Sequence, residues 1–394
     1  MKKQTQAIHL EYERRDAYDS LSVPVYNTLA YEFDNAAVMA EAFTDKIKAP
    51  DYSRVENPTV TNLERRVAAL TDAAHTTAFN SGMAAISNTL MALAAQGKNI
   101  VTSKHLFGNT YALLVATLRR FGVKVRLRDL TNIEAVREAI DDDTCCVFLE
   151  ILTNPQLEVA DLKAISEVAH EKNVPLVVDS TVIPFTQFSA KSLGVDIEVV
   201  SSSKYVSGGA TSLGGLVIDY GTPYNGDFAK RLYGEMLFNF GAYMTPQVAY
   251  MQTIGLETLD ARYRVQSSNA LELAKKLRSL PQIKYVNYVG LEDNPYHELA
   301  QRQFGKTAGA MICIDLESKE ACFSFLNNLK LIHRATNLFD NRSLAIHPAS
   351  TIFGAFSDNM RKSMDVKDTT IRLSIGLEDV DDLFEDIKQA VDSL

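Results

Sequence analysis

Cysteine is scarce in this 394-residue chain: there are four, with Cys145 and Cys146 adjacent in an apolar run and Cys313 and Cys322 making no CxxC. Such spacing builds neither a metal site nor a disulfide framework and points to buried free thiols in a reducing compartment. No basic cluster stands out against a formal net charge of -9, which argues against nucleic-acid binding. Long apolar runs are missing too. No segment could span a bilayer, and Met1-Lys2-Lys3-Gln4-Thr5 is not followed by the apolar stretch of a signal peptide. Internal repeats and low-complexity tracts are also absent. The expectation is a cytoplasmic protein that works on a small molecule, with no nucleic-acid or membrane partner.

What is present is enough apolar sequence, 46%, to bury a large core in two domains. Strand-like runs at 99–102, 123–127, 144–149, 176–178 and 198–201 alternate with helical patterns at 110–120, 133–139 and 162–171. Alternation of that kind predicts right-handed βαβ units and a mostly parallel sheet with helices on both faces, an α/β fold. The pattern changes after about residue 251. A long helix at 263–280 precedes strands near 285–289, 310–315, 331–334 and 370–374 and helices at 319–329 and 380–394, which reads as a smaller α+β domain. Residues 1–55 show helical periodicity only near 36–43 and read as an arm that packs against something else, often a second subunit. The expected division is therefore an arm at 1–55, a large domain at 56–250 and a small domain at 251–394.

The chemistry is organised around Val199-Val200-Ser201-Ser202-Ser203-Lys204, an apolar run that passes through three hydroxyls to a lysine and on into Gly208-Gly209. A second run, Pro175-Leu176-Val177-Val178-Asp179, ends in an acid. In a parallel sheet the ligand crevice lies beyond the carboxyl ends of the strands, so Asp179 and Lys204 can share one pocket. A pyridoxal 5′-phosphate (PLP) enzyme requires such a pair: the lysine forms a Schiff base, and the aspartate keeps the pyridine nitrogen protonated. The plain alternative is a surface lysine in a polar loop. Other stretches divide in the same way. Tyr52 and Arg54 either reach a phosphate or belong to a capped loop before the helix at 61–70. Gly82, opening a helix after Asn80-Ser81, either exposes free amides to an anion or is an ordinary helix start. Asn154 ends a strand near a cofactor oxygen or a substrate carboxylate, Phe107 is a plate for a ring or a core residue, and Arg372 pairs with a substrate carboxylate or with a structural acid.

Taken together, Pro24-Val25-Tyr26-Asn27-Thr28, Tyr52-Ser53-Arg54, Asn57-Pro58-Thr59, Ser81-Gly82-Met83-Ala84-Ala85, Glu150 with Asn154-Pro155, Asp179-Ser180-Thr181, Ser201 to Lys204 and Arg372-Leu373-Ser374-Ile375-Gly376-Leu377-Glu378 resemble the Cys/Met-metabolism (transsulfuration) family of PLP enzymes. The resemblance covers essentially the whole chain. It implies the aspartate aminotransferase-like, type I PLP-dependent transferase fold and a homotetramer, a dimer of dimers with shared active sites. Lys204 would be the Schiff-base lysine and proton shuttle, with Asp179 and Thr181 at the cofactor and Phe107 stacked on its ring. Gly82, Met83, Ser201 and Ser203 would hold the phosphate, joined by Tyr52 and Arg54 of a neighbouring subunit, and Tyr52 would also serve in proton transfer. Arg372, Asn154 and Ser343 would take the carboxylate of an amino-acid substrate.

Within the family, the run Asn337-Leu338-Phe339-Asp340-Asn341-Arg342-Ser343-Leu344-Ala345-Ile346-His347-Pro348-Ala349-Ser350-Thr351 is similar to the O-acetylhomoserine sulfhydrylase branch. Arg342 stands where cystathionine-handling members carry a glutamate, and Asn109 where methionine γ-lyases carry a cysteine. Phe107 replaces the usual tyrosine, Phe339 an expected glycine and Ser203 a threonine, and the insertion usual in sulfhydrylases between 220 and 241 is absent. The resemblance implies γ-replacement on an O-acylhomoserine, O-acetylhomoserine preferred, by sulfide or a thiol. The alternatives are a methionine or cystathionine γ-lyase, a cystathionine γ-synthase, an aminotransferase and a non-catalytic PLP-binding protein.

Overall fold

Seven strands make the larger of two sheets in the computed structural model, which describes residues 1–10, 18–44, 46–306 and 308–394. They are β1 (His75–Phe79), β2 (Asn99–Ser103), β3 (Lys124–Arg128), β4 (Thr144–Glu150), β5 (Leu176–Asp179), β6 (Ile197–Val200) and β7 (Gly215–Asp219), in the spatial order β1-β7-β6-β5-β4-β2-β3. The five strands β2 to β6 run parallel, as their apolar runs and intervening helices require; β7 pairs antiparallel with β6 and with β1. Alternate residues of β5 enter different cores. Leu176 and Val178 pack on one face of the sheet and Val177 on the other, and all three are fully buried. The fully buried Glu198 on β6 accepts a hydrogen bond from the Tyr220 hydroxyl at 2.6 Å, which satisfies an acid that the apolar strand would otherwise strand.

The second sheet has the order β10-β11-β12-β9-β8, from β8 (Tyr285–Asn287), β9 (Met311–Asp315), β10 (His333–Arg334), β11 (Leu344–Ile346) and β12 (Thr370–Ser374). The helices Leu259–Leu277 and Val380–Val391 cover it, burying Ala270, Leu273, Ala274 and Leu277 against Leu383, Ile387 and Ala390. Apolar residues recur every three or four positions in both, so each presents one stripe to the core.

The first ten residues pack on their own chain. Lys3 Nζ donates to the carbonyls of Phe185 (3.0 Å) and Phe188 (2.8 Å), Gln6 donates to Ala69, and Arg66 donates to Ala7. Three of the four cysteines are buried and Cys145 is half-buried. Among the described residues no helix is long and apolar enough to cross a membrane.

Candidate active site

Parallel pairing places the ends of β4, β5 and β6 side by side, with Glu150 opposite Asp179 and Asp179 opposite Val199. Beyond them lies a cavity of about 510 Å³, lined by Asp179 and Lys204 together. This is the pairing expected from the two strand ends. Lys204 follows β6 after the three serines Ser201 to Ser203, and its Nζ donates to Asn337 Oδ1 at 2.8 Å. Burial, helped by the Arg372 guanidinium, lowers its amine to about 8. Burial raises the Asp179 carboxyl, while the Thr181 amide, donating to Oδ1 at 2.9 Å, works against that shift. A cation against Asp179 would restore the anion.

The phosphate-side residues converge at the start of the helix Gly82–Leu93. Ser81 caps it through the Ala84 amide, and the first two residues of the helix, Gly82 and Met83, whose amides the helix itself does not use, line the cavity. A Cβ on Gly82 would lie 2.5 Å from Ser201 Cβ, so only glycine lets helix and loop close to this distance. The Ser201 hydroxyl has no protein partner among the described residues and is free to donate, and the Ser201 amide is held by Thr181 Oγ1 at 2.8 Å. Ser203 is more committed: its hydroxyl donates to the Gly214 carbonyl and accepts from the Gly214 amide.

Arg372, in mid-β12, is buried and pushed down to about 10 by burial. Its Nη1 donates to Asn154 Oδ1 and its Nη2 to the Asn337 carbonyl, each at 3.2 Å, and its Nε is buried without a partner. No carboxylate among the described residues pairs with it, so the structural-acid alternative does not hold. A buried guanidinium held only by neutral oxygens suits an incoming carboxylate. Phe107 lines the same cavity, its amide donating to Glu150 Oε1 at 2.5 Å.

Two expectations fare differently. Ser343 does not line the cavity and is corrected here: it is fully buried, its amide donates to Glu378 Oε1 and its hydroxyl to Glu378 Oε2, and it accepts from the Gly376 amide. Every hydrogen-bonding group of that side chain is used in binding its own chain, so none is left for a substrate. Tyr52 and Arg54 also stand outside the lysine cavity of their own chain; Arg54 lies over the Tyr52 ring at 5.5 Å and lines a separate cleft with Tyr233. Sequence reasoning passed over Asn337, which holds Lys204 and Arg372 together, and gave no role to Glu150. The signal for Glu150 was available, since it ends β4 as Asp179 ends β5. Burial and then the charge of Asp179 raise its carboxyl well above the usual range.

A second, outer chamber of about 620 Å³ shares Ser203, Lys204 and Leu213 with the first and is lined by His333, Asp340 and Arg342. Arg342 is exposed there, its Nε donating to the buried Asp340 at 3.2 Å.

Residues 4–392 match the family of Cys/Met metabolism PLP-dependent enzymes. The chain belongs to this family. Among relatives, it is 37% identical to an L-methionine gamma-lyase of Fusobacterium nucleatum subsp. polymorphum over 99% of this chain and 98% of that one. It is 31% identical to an O-acetyl-L-homoserine sulfhydrylase of Corynebacterium glutamicum over 98% and 95%. It is also similar, at TM-score 0.95 and 34% identity over the full length of both chains, to the structure of a Campylobacter jejuni protein assigned as an O-acetylhomoserine (thiol)-lyase, which carries N′-pyridoxyl-lysine-5′-monophosphate. Membership brings the type I PLP-dependent transferase fold and PLP as the cofactor. The residues present fit that group: free helix amides and a serine hydroxyl for a phosphate, a glycine cradle, a buried acid for the ring nitrogen and a lysine whose amine burial has made easier to deprotonate.

Proposed function

We propose that this family member catalyses γ-replacement on an O-acylhomoserine, O-acetylhomoserine preferred, with sulfide or a thiol as second substrate, giving homocysteine or methionine. The observation that carries the proposal is that the two chambers share Lys204; in this reading the inner one takes an amino acid by its carboxylate, and the outer one, with the exposed guanidinium of Arg342, admits the second substrate to the same amine. When bound, PLP supplies an electron sink for a carbanion at the substrate's Cα.

The chain's own residues do the rest. Arg372 and Asn154 hold the α-carboxylate, which fixes the Cα–H bond relative to Lys204. With its amine at about 8, about a tenth of free Lys204 is neutral at pH 7, so it can take the proton from Cα and then move one at Cβ. Asn337, bonded to Lys204 Nζ, limits where that amine swings. Phe107 offers a ring face without a hydroxyl, which leaves leaving-group protonation to Lys204 or to Tyr52. In this proposal Tyr52 and Arg54 come from a neighbouring subunit of a dimer of dimers, and 1–55, 56–250 and 251–394 act as arm, large domain and small domain.

The second reading is a γ-lyase that releases α-ketobutyrate and ammonia, favoured by the likeness to the Fusobacterium lyase. Purified protein incubated with O-acetylhomoserine and sulfide separates the two. The proposal requires homocysteine as the major product; α-ketobutyrate in excess over homocysteine contradicts it.

A further inference from the structure

Three segments that wall the inner chamber meet at a histidine well away from Lys204 in the chain. His105 follows β2 and precedes Phe107 by two residues; its own amide donates to Ser103 Oγ at 2.9 Å. Its Nδ1 lies 2.5 Å from Glu158 Oε2, in the loop that also carries Asn154, and its Nε2 lies 2.8 Å from Asp365 Oδ2, in the C-terminal segment that follows Thr351 and Ile352. The side chain is buried. Lys104 Nζ reaches the same Asp365 oxygen at 2.7 Å. The seam is close elsewhere too: Gln156 donates to the Met364 carbonyl at 2.7 Å, and a Cβ on Gly108 would lie 2.7 Å from the Ile352 carbonyl.

We infer that His105 is a positioning residue, whose doubly protonated ring ties the loop of Phe107 to the loop of Asn154 and to the segment of Thr351 and Ile352. A neutral imidazole has one N–H and one lone pair, so two carboxylates on opposite nitrogens can both be bonded only when each nitrogen carries a proton. Loss of one proton turns one of the two contacts repulsive and frees a wall of the cavity. The inference rests on the cavity being the cofactor and substrate site, and it adds a group that the chemistry itself does not touch.

The surroundings favour the charged ring. Burial alone would lower its pKa, but the hydrogen bonds and charges of Glu158 and Asp365 outweigh burial and the opposing Lys104, and the net shift is upward. The Thr131 hydrogen bonds, and after them the charges of His105 and Lys104, hold the Asp129 carboxyl low; against burial, Lys104 and His105 hold the Asp365 carboxyl low. Tyr296, facing Glu158 and Asp129, is pushed up to about 12 by burial and those charges. His105 is therefore the member of this group whose charge is held to a higher pH than that of a free histidine. A histidine whose folded pKa is raised contributes stability that is complete below its unfolded value of about 6.5 and is lost as pH rises through the folded value.

The test compares holoenzyme with His105→Gln and Asp365→Asn from about pH 6 to pH 9. With PLP bound, the wild-type circular dichroism of the cofactor's visible band should fall as pH rises through the raised folded pKa of His105. His105→Gln should give the weaker signal throughout, without that transition. Its KM for the amino-acid substrate should rise on the order of tenfold, with kcat changing less, and Asp365→Asn should move the same way. Superimposable dichroism of wild type and His105→Gln at every pH overturns the inference. If the wild-type protein shows no visible PLP band, the cofactor reading fails instead, and the tie is judged by urea unfolding. The gap in midpoint between wild type and His105→Gln, or Asp365→Asn should the first not fold, narrows with rising pH if the tie exists; a constant gap overturns it.

Discussion

At the scale of single residues, the site depends on charges placed where water is scarce. The Lys204 amine at about 8 makes a direct prediction for the cofactor-free chain: imine formation needs a neutral amine, so the rate of PLP capture should rise with pH and level off above about 8. Stopped-flow absorbance measures this, and a midpoint at the ordinary lysine value of 10.5 would contradict the burial argument. Arg372→Leu should raise KM for the amino-acid substrate roughly a hundredfold, about 2.7 kcal/mol, with a smaller change in kcat. An unchanged KM would remove Arg372 from the carboxylate site. Lys204, Asp179 and Arg372 were legible because Arg372 interrupts an apolar strand, Asp179 ends one and Lys204 follows one through a run of serines. Asn337 was not, nor was what holds Phe339 where a glycine was expected. Phe339 adopts φ 56°, a conformation that favours glycine, and is held there by stacking on Tyr205 with centroids 4.0 Å apart. Nothing local in the run announces a long-range contact of that kind, nor that the Ser343 hydroxyl is taken by Glu378.

At the scale of elements, the helix Gly82–Leu93 and the loop after β6 must approach more closely than a methyl group allows. Gly82→Ala would force Ser201 or the helix to move, and PLP affinity should fall at least tenfold in equilibrium binding. Wild-type affinity would show that this close approach is not what holds the phosphate. Asp386, on the helix Val380–Val391, accepts from the amides of Lys330, Leu331 and Ile332 at 2.8 to 2.9 Å, and so joins that helix to the chain entering β10. Asp386→Ala leaves those donors without their acceptor and should cost on the order of 3 kcal/mol in urea unfolding; a loss below about 1 kcal/mol would mean that water replaces the carboxylate. The parallel strands were readable from continuous apolar runs. β1, with the sequence His75-Thr76-Thr77-Ala78-Phe79, and the three-residue β11 were not, because their pairing partners rather than their own side chains make them strands.

At the scale of the whole molecule, one chain does not assemble every residue the family resemblance assigns to the site. Tyr52 is exposed and stands with Arg54 outside the lysine cavity, although the helix Lys3–His9 is bonded to Phe185 and Phe188 of its own chain. Sites shared between subunits make a clear prediction: Lys204→Ala and Arg54→Ala, each inactive alone, should regain part of the activity when unfolded and refolded together. No regain in proven mixed oligomers would place Tyr52 and Arg54 outside the reaction. The order of βαβ units and the change of pattern after residue 251 were legible because they follow from hydrophobic periodicity, whereas contacts across a subunit boundary leave no periodic trace.

The most direct measurement is borohydride reduction of the PLP-loaded protein, followed by proteolysis and mass spectrometry. The pyridoxyl mass should appear on the peptide that contains Lys204 and on no other. Its appearance on a different lysine, or its absence from a protein that still holds PLP, would contradict the central claim that Lys204 forms the covalent link to the cofactor.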